Sequence, residues 1–171
     1  MKTSTTTALI SVGLLAASLT GCSQSATKTD AATGAKAVTV SDQWVKAADT
    51  GMTAVFGTLK NSGKDEVTVV SATSPAAGRM ELHEVVGQPG STTMRPKEGG
   101  FVIPAGGTQV LAPGADHLMM MDLKAPLAVG SDVEVTLTFK DGSTLPFTAQ
   151  VRTFPGAGEN YQPGGHAGHH G

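Results

Sequence analysis

A single cysteine, Cys22, in a chain of 171 residues excludes an intrachain disulfide. Aromatic residues make up only 4% of the chain, and five of the seven, Trp44, Phe56, Phe101, Phe139 and Phe147, are expected in or near the core. Charge is also sparse. With 12 basic and 14 acidic side chains there is no basic patch, and nucleic acid is not an expected partner. No segment of the central region sustains a helical period over three turns. There is no Gly-x-Ser-x-Gly elbow, no phosphate-binding glycine loop and no free cysteine nucleophile, which argues against an enzyme. No internal repeat is visible.

The N-terminus supplies a context for the lone cysteine. Lys2 is followed by the apolar run Ala8-Leu9-Ile10-Ser11-Val12-Gly13-Leu14-Leu15-Ala16-Ala17, too short to span a bilayer comfortably and suited to a signal peptide. It leads into Leu19-Thr20-Gly21-Cys22, which resembles the bacterial lipoprotein box, with Cys22 lipidated as the first mature residue. Removal of residues 1–21 would take away one charged residue, Lys2, leaving 11 basic and 14 acidic side chains. Attachment to a membrane would then come from lipid rather than charge. The competing readings are a transmembrane anchor and an ordinary signal peptide with an incidental cysteine. Residues 22–36 are small and polar and read as a flexible tether. Residues 154–171 read as a flexible tail ending in His166, His169 and His170.

Between them, residues 37–153 read as one β-domain. Asp132-Val133-Glu134-Val135-Thr136-Leu137-Thr138-Phe139 alternates apolar and polar residues, the pattern of a strand with one buried face. Asp141-Gly142 then predicts a tight hairpin turn into residues 144–151. Further strands are expected at 38–40, 53–59, 66–70, 80–86, 101–103 and 108–111. Short strands punctuated by Gly and Pro turns indicate a β-sandwich or barrel.

The residues that carry chemistry lie between His83 and Met121. Ten residues (84–93) separate His83 from Met94, and 22 residues (95–116) separate Met94 from His117, which opens the run His117-Leu118-Met119-Met120-Met121. On a strand, residues i and i+2 share a face, so His117 and Met119 can address one ion together. Met121 would share that face and Met120 would point away as core filler. His83 is expected outward or at a rim if Leu82 is core. Met94 falls in a stretch read as a loop, where a thioether has no evident packing role. Met52 and Met80 read as structural. Glu81 and Asp116 are hard donors beside soft ones, read as solvated charges or as partners that orient an imidazole. Two imidazoles and two thioethers, with no thiolate or carboxylate, form a neutral set suited to Cu(I). Without a Cys ligand it is not a blue-copper electron-transfer site. The three tail histidines form an all-imidazole set that would favour Cu(II). Equally, each of these residues taken singly could be packing or surface.

The chain resembles the bacterial extracytoplasmic copper chaperones of the PCuAC family. The matching segments are Asp42–Val45, Gly51–Asn61, Glu81–Glu84, Met94–Pro96, Ile103–Gly107 and Pro113–Met119, in order across roughly residues 38–152. The resemblance implies a cupredoxin-like Greek-key β-fold and a copper site of His83, Met94, His117 and Met119, here with one more residue between Met94 and His117 than is usual. It also implies delivery of Cu(I) to the binuclear copper centre of cytochrome c oxidase, alongside a thioredoxin-fold partner or the oxidase subunit itself, and a second copper site in the histidine tail. Copper buffering without a dedicated acceptor, and a metal-free structural lipoprotein, are the alternatives.

Overall fold

A computed structural model describes residues 33–88, 91–156 and 160–161. The lipobox cysteine Cys22 and the tail histidines His166, His169 and His170 lie outside the described residues. Among those described, no helix is long and apolar enough to cross a membrane.

The fold is all-β, as the periodicity predicts. One helical turn, α1 (Gly34–Ala37), precedes eleven strands: β1 (Val38–Lys46), β2 (Thr53–Asn61), β3 (Val67–Thr73), β4 (Ala77–Gln88), β5 (Ser91–Pro96), β6 (Phe101–Ile103), β7 (Thr108–Leu111), β8 (His117–Leu123), β9 (Asp132–Phe139), β10 (Thr144–Arg152) and β11 (Asn160–Tyr161). They form one sheet in the order β11-β5-β4-β8-β2-β1-β10-β9-β3-β6, with β7 also on β2. β1 runs parallel to β10 and β11 parallel to β5, while the remaining neighbours are antiparallel. In the main core Val69, Phe101, Ile103, Leu137 and Phe139 meet Leu59, Leu82, Leu118 and Met120. β9 behaves as its alternation predicts: Val133, Val135, Leu137 and Phe139 are buried there.

A second, smaller cluster lies on the other face of β2, β4, β5 and β8: Ala54, Phe56, Met94, Met119 and Met121, with Trp44 and Val85 packed against it. A bulge in β1 creates part of it. Ser41 pairs with Thr58, but Trp44 pairs with Phe56, so β1 holds one extra residue, and Asp42 adopts φ 53° within it. An extra residue reverses which side chains face which way beyond that point. Val38 and Val45 therefore both reach the main core, and Trp44 turns to the second cluster, 4.6 Å from the Phe56 ring.

Both ends of the domain extend past the sequence boundaries. Residues 34–36, expected in the tether, are tied to the β9–β10 hairpin: the Gly34 N–H donates to Asp141 Oδ2 at 2.7 Å and the Ala35 N–H to Ser143 Oγ at 3.0 Å. The tail region does not begin as a loose end either. Phe154 lies 5.3 Å from Trp44 between ring centroids, and β11 adds a short parallel strand to β5. An edge strand leaves backbone donors and acceptors open, and β11 takes them up.

Hydrogen bonds from the Ser143 hydroxyl, the Gly34 N–H and the Ser143 N–H outweigh burial and lower the Asp141 pKa. A folded-state pKa below the unfolded one contributes stability that is full above the unfolded pKa and lost as pH falls through the folded one. Asp141→Asn is therefore expected to lower the melting temperature at neutral pH, with the gap from the parent closing as pH drops below the usual carboxylate range. Thermal melts of both proteins between neutral and strongly acid pH check this; a gap independent of pH would mean that the carboxylate charge is not what anchors α1.

Candidate metal centre

The pairing of β4 with β8 puts Leu82 opposite Leu118 and His83 opposite His117. The leucines enter the main core, so the histidines share the opposite face. Their ring centroids are 5.6 Å apart, nearly edge to face. On the same face Met119 pairs with Glu81 and with Ala54 of β2, and Met94 of β5 pairs with Val85. Three strands, β4, β5 and β8, thus bring His83, Met94, His117 and Met119 onto one patch, although 34 positions separate the first from the third in the chain. The longer segment between Met94 and His117 leaves this register intact. It ends in a closed turn, in which the Ala112 N–H donates to the Asp116 carbonyl at 2.9 Å.

Three sequence expectations are corrected here. His83 is not at a rim: it is 0% exposed, because β4 is an interior strand and its second face is covered by the smaller cluster. Met94 is not in a loop; it lies on β5 and is buried in that cluster. Met52, read as structural, does not pack into the core but is 41% exposed. Met80, by contrast, packs against the main core, and Met120 is fully buried there, as expected. Met121 lies on the same face as Met119, in the smaller cluster.

Each imidazole is oriented through a ring nitrogen. Nδ1 of His117 lies 2.8 Å from the Ala115 carbonyl. A carbonyl only accepts, so Nδ1 carries the proton and the lone pair resides on Nε2. Nε2 of His83 lies 2.8 Å from Glu81 Oε2. Donation to the carboxylate leaves the His83 lone pair on Nδ1. An imidazole whose outer nitrogen donates to a carboxylate or a carbonyl is fixed in tautomer and orientation for a metal at the other nitrogen. Glu81 thus stands where an orienting partner would, and Arg79 Nε braces it at 3.3 Å.

The turn before His117 is tied to the strands beside it. Lys97, just beyond β5, reaches Glu84 of β4 at 3.3 Å and Asp116 at 3.3 Å, and Arg95 also meets Glu84 at 2.9 Å. Burial raises the Glu84 pKa, but hydrogen bonds and charge from Arg95 and Lys97 outweigh it, and the net shift is downward. Burial likewise lowers the Lys97 pKa, and Asp116 with Glu84 reverses that to a net rise. The Lys97 ammonium and the Glu84 carboxylate therefore stay charged at neutral pH, and the Glu84–Lys97–Asp116 bridge links the segments that carry Met94, His83 and His117.

A cavity of about 290 Å³ opens onto this patch, lined by Met52, Ala54, Phe56, Met94, His117 and Met119 among others. His83 lies behind that lining rather than in it. Among the described residues, no three or more His, Cys, Asp or Glu side chains are grouped to hold a metal. The orienting position of Glu81 is legible in the sequence, two residues before His83. The place of Met52 is not, although its spacing of two from Ala54, continuing the line of β2, is a signal that could have found it.

Residues 38–151 match the family model "Putative lipoprotein LpqE-like". A protein of Leifsonia xyli subsp. xyli named "Putative lipoprotein Lxx21020" is 49% identical over 160 residues, covering 92% of this chain and 93% of its own. Among solved structures, the Cu(I) form of DR1885 from Deinococcus radiodurans is similar at 33% identity and TM-score 0.53, covering 73% of this chain and 86% of its own. The apo PCuAC domain from PmoF1 shares the fold at TM-score 0.59 and 20% identity, covering 69% of this chain and 95% of its own.

Proposed function

The chain belongs to the LpqE-like lipoprotein family and is a PCuAC-family protein, and from that premise we propose that its domain binds one Cu(I) ion through His83, Met94, His117 and Met119 and carries it to an acceptor. The observation that carries this reading is the cross-strand pairing of His83 with His117 on a face shared with both thioethers. The ligands would be Nδ1 of His83, Nε2 of His117 and the two sulfurs. Glu81 and the Ala115 carbonyl would hold the rings in place. The donor set is soft and neutral, which favours Cu(I) over zinc or calcium. The Cu(I) form of DR1885 supports the same cargo in a relative.

The chain acts as a carrier rather than an enzyme in this reading. Burial of all four donors means that an acceptor gains the ion through the cavity, not by collision with an open rim. Lipidation at Cys22 would confine exchange to a membrane surface outside the cytoplasm and raise the effective concentration near a membrane-bound acceptor. The binuclear copper centre of cytochrome c oxidase is the acceptor that the family resemblance implies, reached directly or through a thioredoxin-fold copper protein. His166, His169 and His170 would form a separate Cu(II) site in the tail.

The test is an anaerobic Cu(I) titration of residues 23–171 against a chromophoric chelator, beside a form ending at Tyr161. Both are expected to take up one Cu(I) with the same affinity and to show mixed nitrogen and sulfur ligation by X-ray absorption. Failure of both to compete with the chelator would remove the domain site. Binding that disappears with the tail would move the chemistry to the tail histidines.

A further inference from the structure

The four donors of the metal patch are all buried, so an ion must pass another surface to reach them. The cavity over the patch is the path, and its wall holds one more soft donor. Met52 is 41% exposed, whereas Met94, His117 and Met119 on the same wall are almost fully covered. Among the described residues, the other large apolar side chains that are exposed, Val70, Val102, Val110 and Val129, carry no donor atom. Single exposed apolar side chains are common and by themselves mean little. Met52 differs in two respects: it shares a cavity with three of the donors, and its backbone is pinned on both sides. The Gly51 carbonyl accepts from the Leu123 N–H at 3.0 Å, and the Thr53 hydroxyl donates to the Lys46 carbonyl at 2.6 Å. A flexible thioether is thus held by a fixed backbone between solvent and the site.

We propose that Met52 is the transfer ligand of this centre, a thioether at the cavity mouth that binds Cu(I) transiently as it moves between the buried donors and an outside acceptor. The inference rests on the carrier reading above. Thioether sulfur matches the softness of the cargo. The step is a ligand exchange: a Cu–S bond to Met52 forms as a bond to a resident donor breaks, and no electron or proton moves. In the loaded resting state the ion sits on the four buried donors, so Met52 affects the rate of transfer and not the equilibrium affinity.

The experiment loads residues 23–171 with one Cu(I) under anaerobic conditions and follows its transfer to a chromophoric chelator by stopped flow, with equilibrium competition measured in parallel. Met52→Leu keeps the size of the side chain and removes the sulfur. It is expected to slow transfer about tenfold, which corresponds to a barrier higher by about 1.4 kcal/mol, at unchanged affinity. Met52→His, which restores a donor, is expected to recover most of the rate. Parent-like transfer by Met52→Leu overturns the inference while leaving the carrier reading intact. So does slow transfer by both variants, which would assign Met52 a packing role. A fall in equilibrium affinity for Met52→Leu would make it a resident ligand instead. Failure of the parent to bind Cu(I) removes the carrier reading and this inference together.

Discussion

The double variant His83→Ala/Met119→Ala is expected to lose Cu(I) affinity by at least about a thousandfold, since deleting even a partner of a metal ligand costs about 10–100-fold. It removes one nitrogen and one sulfur from facing strands: His83 from β4 and Met119 from β8. Both side chains are buried, so the variant also opens a cavity, and loss of the fold must be told apart from loss of ligands. Met119→Leu makes that separation. It conserves volume and should cost less than about 1.5 kcal/mol, while still removing the sulfur. Chelator competition on both variants, with thermal melts alongside, reads the two effects independently. Parent-like affinity in a folded double variant would sink the four-donor site. Trp44, the chain's one tryptophan, packs against the cluster that contains Met119 and gives a local fluorescence probe of its integrity.

Asn61→Ala is expected to cost about 3 kcal/mol or more, because it strands several backbone groups at once. Asn61 is fully buried at the end of β2. Its Nδ2 donates to the carbonyls of Asp65, Ile103 and Pro104 at 2.8, 3.1 and 3.1 Å, and its Oδ1 accepts the Gly63 N–H at 2.9 Å. One side chain thus clasps the turn after β2 to the end of β6. For a domain of this size the loss corresponds to a fall in melting temperature of about 10 °C. Asn61→Asp is expected to be no better, since a carboxylate puts acceptors against three carbonyls. Seven residue-to-residue steps of extended strand, roughly 23 Å, separate Asn61 from Ala54 at the metal patch. Copper affinity of the folded fraction should therefore match the parent's. Denaturant unfolding of parent and variant checks the cost, and a loss below about 0.5 kcal/mol would show that water replaces the clasp.

What could be read from the chain alone was local. The alternation in β9, the Asp141-Gly142 turn and the shared face of His117 and Met119 follow from a two-residue period, which needs no knowledge of neighbours. So did the opposite orientation of Leu118 and Met120, and the softness of the donor set, which is a property of the side chains themselves. The family resemblance rested on ordered motifs and was equally local.

The tertiary structure decided whatever depends on which strand lies beside which. The sequence cannot say that β4 is an interior strand, and so His83 was expected at a rim instead of under a second layer. Met94 reads as a loop residue because Ser91-Thr92-Thr93 has no apolar alternation; β5 exists through pairing with β4. The extra residue near Asp42 reverses the facing of Trp44, and only the register against β2 reveals it. The adhesion of β11 to β5 and the ties from α1 to the β9–β10 hairpin join segments far apart in the chain. Such meetings carry no local signature, because they depend on long-range packing and on edges that only a folded sheet possesses.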